Sequence, residues 1–148
     1  MPLRKVTIIS NNICYGPMPA PEDEVEQRLT LNAKGQVWFT GYSYAAGFGK
    51  HAPCRKQRLS IGLESAFRVL AMFEQYFSGD YPIFDATDIG TWELTMTDDA
   101  GTSKKETGSL CADLLVGGIG ISQVLRELLP IENMLLFDEN CGYKDEQE

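Results

Sequence analysis

Alternating apolar and polar positions divide much of the chain into short strands. Val25, Leu29 and Leu31 alternate with charged and hydroxyl side chains, and this period of two predicts a strand over 25–31 with one buried face. Further strands are predicted over residues 4–10, 36–44, 92–97 and 102–110, with a last short strand over 134–137. The polar composition of 102–110 is typical of an edge or solvent-facing strand.

Two tetrapeptides have the residues that tight hairpin turns require. Asn32–Gly35 and Asp98–Gly101 each begin with a side chain that bonds nearby backbone, and each ends in Gly, which adopts positive φ without strain. Both therefore predict hairpins. The proline-rich stretch Pro17–Pro21 and residues 81–90 are predicted as loops, and residues 45–58 as a loop or irregular edge.

A helical period follows the third strand. Ser60 or Gly62 is placed to begin this helix and Gly79 to end it. Its predicted apolar stripe consists of Leu63, Ala66, Phe67, Leu70, Phe73 and Phe77. A shorter helix is predicted with Ser122 as its N-cap and Pro130 as its stop. The apolar face of this shorter helix comprises Val124, Leu125, Leu128 and Leu129.

Hairpins dominate this order of elements, and strands and helices fall in separate runs. The sequence therefore predicts an α+β fold, a mainly antiparallel sheet with the long helix packed on one face and a short C-terminal helix. We expect one domain over 1–137. The acidic segment 138–148 is expected to be a disordered tail.

Composition and charge narrow the function classes. The chain has 148 residues, a net charge of −8 and a pI near 4.6, which disfavour direct binding to nucleic acid or to an anionic membrane. No apolar run has the length of a signal peptide core or a membrane span, so we expect a cytoplasmic protein. The four scattered cysteines are then expected to be reduced thiols.

The motifs that resemble catalytic or metal sites are each incomplete. Residues 47–51 fail the Walker pattern, because position 44 is Tyr and position 51 is His. His51 and Cys54 have metal-like spacing, but a fourth ligand is not evident even if Cys14 joins them. The glycines at 117–120 lack the rest of a dinucleotide fingerprint. We therefore expect no catalytic residue, metal or cofactor, although the enzyme question stays open.

A basic cluster is the first candidate binding feature. It consists of Lys50, His51, Arg55, Lys56 and Arg58. Such a cluster can bind a phosphate or an acidic partner. The alternative is a solvated loop balanced by the acidic run Glu22–Glu26. Asp85 and Asp88 could supply polar groups to an anion site, or simply bond nearby loop backbone.

An aromatic cluster is the second candidate feature. It consists of Tyr15, Trp38, Tyr42, Tyr44 and Phe48. Trp38, Tyr42 and Tyr44 alternate along one strand, on the face opposite Val37 and Phe39. Exposed, these rings favour a protein interface. If the sheet is covered on both faces, they are core residues, and the sequence leaves both interpretations open.

Several short motifs resemble a group of uncharacterised small proteins from Gram-positive, gut clostridial bacteria and their mobile elements. The motifs are Cys14–Met18, Glu24–Gln27, Trp92–Leu94, Gly108–Cys111 and Phe137–Asp138. The resemblance spans most of the chain up to Asp138. It implies a bacterial cytosolic source, and it assigns no catalytic role to any residue.

Two functions of different classes follow. The first is a non-enzymatic partner-binding module of immunity, inhibitor or anti-defence type, with a protein partner; a homodimer is left open. An acidic protein surface could imitate nucleic acid and so bind a basic partner. Many of the acidic residues, however, lie in Glu22–Glu26 and in the tail 138–148, which weakens the argument for such mimicry. The alternative is a sensor or enzyme that binds a small anionic ligand or nucleotide through the basic residues of 50–58, in a pocket shared with Asp85 or Asp88.

Overall fold

Six antiparallel strands form one sheet in the computed structural model, which describes residues 3–11, 24–43, 52–77, 91–109, 115–116 and 118–131. The strands are β1 (Leu3–Asn11), β2 (Glu24–Asn32), β3 (Gln36–Ser43), β4 (Ala52–Ser60), β5 (Thr91–Asp98) and β6 (Ser103–Ser109). Their order in the sheet is β4-β3-β2-β1-β5-β6. The predicted hairpin-built antiparallel sheet is therefore confirmed.

Two helices and a minor hairpin complete the described fold. Helix α1 spans Gly62–Tyr76, and helix α2 spans Ile121–Leu128. The hairpin pairs β7 (Leu115–Val116) with β8 (Ile119–Gly120) and leads directly into α2. Neither described helix is long and apolar enough to cross a membrane. The fold is α+β, with one longer helix and one short C-terminal helix, as the sequence predicts.

Both helices pack against the same face of the sheet. Alternate residues of the strands supply the sheet side of the core, namely Val6, Ile8, Leu29, Leu31, Val37, Phe39, Trp92, Leu94 and Met96. The helix side consists of Ala66, Val69, Leu70, Phe73, Ile121, Val124 and Leu125. The register aligns these rows across strands, since Ile8 lies opposite both Leu29 and Leu94. One hydrophobic layer therefore holds sheet and helices together.

The two predicted turns form by the same local chemistry. The Asn32 side-chain Oδ1 accepts hydrogen bonds from the backbone N–H of Lys34 and of Gln36, both at 3.0 Å, and Gly35 has φ +86°. Asp98 Oδ1 likewise accepts from the N–H of Ala100 at 2.9 Å, and the turn ends at Gly101, where φ is +85°.

Residues 52–60 correct the prediction of a loop or irregular edge over 45–58. They form β4, a regular strand paired with β3 from Gln36↔Ser60 to Ser43↔Ala52, with one bulge between Gly41 and Tyr42. Alternation failed to reveal this strand because it lies at the sheet edge and carries polar side chains on both faces. Residues 44–51 lie outside the described residues.

The apolar stripe of α1 differs from the predicted one. Leu63 and Phe67 are 69% and 72% exposed, whereas Val69, which the prediction omitted, is buried. Each residue turns the helix by about 100°, so a stripe that includes both Ala66 and Phe67 is wider than the surface that the sheet covers. The buried side of α1 is centred on Ala66 and Phe73 instead.

The ends of the helices refine three further predictions. Gly62 is the first residue of α1, as predicted. Ser122 is not an N-cap: it is buried inside α2, and Gly120 occupies the cap position without a side-chain cap. Leu129 is extended, with φ −110° and ψ 114°, as expected for the residue before Pro130. Three further predictions concern residues outside the described ones: the helix end at Gly79, the strand over 134–137 and the tail 138–148.

The two sides of α1 predict opposite mutational effects. Phe73→Ala should lower the free energy of unfolding by about 3–5 kcal/mol, because it leaves a cavity in the core. Phe67→Ala should change it by less than about 0.5 kcal/mol, since that ring is 72% exposed. Urea unfolding followed by circular dichroism measures both values. A comparable loss at Phe67 would contradict the observed orientation of α1.

The two turn glycines predict a graded effect of an added methyl group. Gly101→Ala should cost about 1–2 kcal/mol from its positive φ alone, because no atom lies within 4 Å of the new Cβ. Gly35→Ala should cost clearly more, since its Cβ would lie 2.5 Å from the carbonyl oxygen of Gly62. Thermal and urea unfolding of both variants test the difference. Equal losses would show that Gly35 does not pack on the start of α1.

Candidate functional site

The sheet face opposite the helices carries the candidate binding residues. We call this surface the open face, and its central rows comprise Thr7, Ile9, Arg28, Thr30, Trp38, Thr40, Tyr42, Lys56, Arg58, Glu93, Thr95 and Lys105. Its side chains are polar, aromatic or charged, with Ile9 as the exception. Among the described elements both helices lie on the other face.

Trp38 and Tyr42 both lie on β3, and their side chains are on the open face, opposite Val37 and Phe39, as predicted. Both are half-buried rather than core residues. The guanidinium carbon of Arg58 lies 5.8 Å from the centroid of the Trp38 ring, and that of Arg28 lies 4.9 Å from the Tyr42 ring. These distances are typical of cation–π pairs. Each ring is therefore flanked by an arginine, and both rings are held in place.

The remaining aromatic residues of the predicted cluster cannot be placed on this surface. Tyr15, Tyr44 and Phe48 lie outside the described residues. The described part of the aromatic cluster is thus the pair Trp38 and Tyr42. Their alternation with the buried Val37 and Phe39 was readable from the sequence.

The register of β4 divides the basic cluster between two faces. Lys56 lies opposite Thr40, and Arg58 lies opposite Trp38, so both belong to the open face. Arg55 lies opposite Gly41 and points to the helix side, where its guanidinium carbon is 4.8 Å from the Phe39 ring. Lys50 and His51 lie outside the described residues.

Positive charge is concentrated at the β4 end of the open face. Elsewhere on this face, Arg28 Nε pairs with Glu26 Oε2 at 3.0 Å, and Lys105 Nζ pairs with Glu93 Oε2 at 2.8 Å. No described carboxylate forms an ion pair with Lys56 or Arg58, and β4 itself contains no acidic residue. An acidic group would therefore be attracted to the end of the face where Trp38 lies.

Ser10 and Gln27 are buried polar residues that the sequence analysis did not single out. They lie opposite each other on β1 and β2, on the helix side, and are 1% and 2% exposed. The Ser10 hydroxyl has no hydrogen-bond partner among the residues that the structure describes. The signal for Gln27 was its position between Val25 and Leu29 in the core-facing row. A serine nucleophile needs an adjacent base, and neither Gln27 nor Trp92, its two cross-strand neighbours, is one.

A cavity of about 400 Å³ lies where the C-terminal end of α1 approaches the β5–β6 turn. Its lining comprises Leu3, Glu74, Phe77, Met96, Asp98, Thr102 and Lys104. Lys104 Nζ donates a hydrogen bond to the Phe77 carbonyl at 3.4 Å. Its described lining includes none of Arg55, Lys56 and Arg58. Asp85 and Asp88, the proposed carboxylate partners of that cluster, lie outside the described residues.

The described part of the chain contains no cluster of side chains that could bind a metal ion. No three or more His, Cys, Asp and Glu side chains among those residues lie close enough together to hold an ion. His51, which has metal-like spacing to Cys54, and Cys14, the further ligand considered, lie outside the described residues.

The buried hydroxyl of Ser10 predicts an unusual response to truncation. Ser10→Ala should leave the free energy of unfolding unchanged or raise it by up to about 1 kcal/mol, because a desolvated hydroxyl without a partner is lost. Thr97→Val is the matched control: its hydroxyl lies 3.0 Å from Ser103 Oγ, and it should cost about 0.5–1.5 kcal/mol. Urea unfolding compares the two; a loss at Ser10 would indicate a hydrogen-bond partner.

The sequence matches no protein-family model and no curated protein. The chemistry of the open face is therefore the basis on which a function can be argued.

Proposed function

We propose that this protein is a non-enzymatic partner-binding module, of the immunity, inhibitor or anti-defence type, and that the open face binds an acidic region of a protein partner. The observation that carries the proposal is the pair Trp38 and Arg58, a large ring and a guanidinium in contact on the face away from the helices. Trp, Tyr and Arg are the residue types most enriched at the energetic centres of protein interfaces.

Burial and charge both favour a protein as the partner. Half-buried rings that are already flanked by arginines lose little conformational freedom on binding. The same arrangement disfavours single-stranded nucleic acid, whose bases stack on ring faces, because Arg58 and Arg28 lie over the rings of Trp38 and Tyr42. The net charge of −8 adds a general repulsion toward phosphate backbones.

A small anionic ligand is the competing function. Small-ligand sites are concave and enclose most of their ligand. The cavity near Glu74 and Lys104 contains none of the described residues of the basic cluster. Lys56 and Arg58 project from a sheet face instead. The geometry of these residues therefore supports a macromolecular partner more than a nucleotide or phosphate.

The proposal predicts that binding depends on the β4 end of the open face. With tagged wild-type protein as bait in a lysate of the source organism, Trp38→Ala and Arg58→Glu should each weaken capture of a specific acidic protein by roughly 30-fold, about 2 kcal/mol. Arg68→Glu is the matched control, since it makes the same charge change on the exposed side of α1. The dissociation constants of the purified pair give the quantitative readout.

Two results would contradict the proposal. One is a partner whose affinity is insensitive to both Trp38→Ala and Arg58→Glu while the variants remain folded by circular dichroism. The other is micromolar or tighter binding of a fluorescent single-stranded oligonucleotide, lost in the same variants, which would assign the open face to nucleic acid.

A further inference from the structure

Strand β4 ends the sheet beside the positively charged part of the open face. Among the described strands it pairs only with β3. In an edge strand, alternate backbone N–H and C=O groups point away from the sheet and can pair with another extended chain. At nine residues, β4 is long enough to accept an added strand along most of its length.

The side chains of β4 would determine which side chains an added strand needs. On the open face its neighbours would be Lys56 and Arg58, and on the helix side they would be Arg55, Gln57 and Leu59. Side chains of an added strand alternate between the same two faces. Acidic residues at every second position would therefore face Lys56 and Arg58, and opposite charges on adjacent strands attract.

A second copy of this chain does not fit this edge. Two β4 strands paired with each other would bring arginines and lysines into adjacent positions, and like charges across strands are destabilising. The other edge, β6, differs: its Lys104 pairs with Glu106 at 3.4 Å and its Lys105 pairs with Glu93 at 2.8 Å. Among the described residues, Lys56 and Arg58 have no such carboxylate partner, so the charge that opposes self-association lies on β4.

We propose that β4 binds an extended acidic segment of the partner as a seventh strand, with acidic side chains at alternate positions against Lys56 and Arg58. This inference rests on the proposed function and adds the partner's conformation and charge pattern to it. Backbone pairing supplies affinity, and the alternating charges fix register and face.

Nuclear magnetic resonance with a defined peptide tests the proposal. The probe is a nine-residue peptide of alternating glutamate and threonine with blocked ends, added to the full-length protein. We expect shifts in β4 and β3 amides and at least tenfold slower hydrogen exchange at alternate β4 amides. Arg58→Glu should weaken binding at least tenfold, and Arg68→Glu, the same charge change on the exposed side of α1, should not.

A second peptide of the same sequence carries N-methyl groups on alternate residues, which remove backbone N–H donors and leave the side-chain charges unchanged. It therefore distinguishes binding by strand pairing from binding by charge alone. If it binds at least tenfold more weakly, backbone pairing is supported. If it binds equally well and Arg58→Glu still weakens it, the added strand is refuted while the proposed binding face stands. If neither peptide binds at millimolar concentration, the seventh strand is also refuted. The proposed function is then tested separately, by measuring how much partner protein the Trp38→Ala and Arg58→Glu variants capture.

Discussion

Both helices lie on one face of the sheet, and the chain direction at the end of β4 determines which face this is. Gly62, with φ +85°, begins α1 two residues after the strand ends. The turn at Gly35 packs so closely against Gly62 that no side chain fits between them, and the Ile61 N–H donates to the Gly35 carbonyl at 2.9 Å. The helix is thereby directed onto the face that carries Val37 and Phe39, and Phe73 and its neighbours complete the core on that face.

One-sided burial accounts for the composition of the opposite face. Hydroxyl-bearing and long charged side chains suit a sheet surface that stays in contact with water. On β1 and β2, for example, the Thr7 and Thr30 hydroxyls lie 3.3 Å apart across the strands. Large rings are costly on such a surface unless their edges are covered. The guanidinium groups of Arg28 and Arg58 lie over the rings of Tyr42 and Trp38. The same contacts also fix the orientation of the two rings, which the proposed binding of a partner requires.

The accuracy of sequence interpretation followed the range of the interactions involved. The hairpin turns were predictable, because Asn32 and Asp98 bond to backbone only a few residues away. The face of Trp38 was predictable from simple alternation with buried neighbours. The exposure of Phe67 was not, since it depends on how much of α1 the sheet covers. The division of the basic cluster was missed because β4 was predicted as a loop, and alternation along a strand is what separates Arg55 from Lys56 and Arg58.

Strand β1 connects two parts of the described sheet that do not otherwise pair. Its neighbour β2 follows it directly in the chain, but its other neighbour, β5, comes only after α1, so that Ile8 meets Leu94. During synthesis, one side of β1 must therefore wait, with its backbone groups exposed, until β5 leaves the ribosome. Such distant pairing is typical of slowly folding sheets. A central strand of the finished sheet is thus an edge strand of the incomplete one.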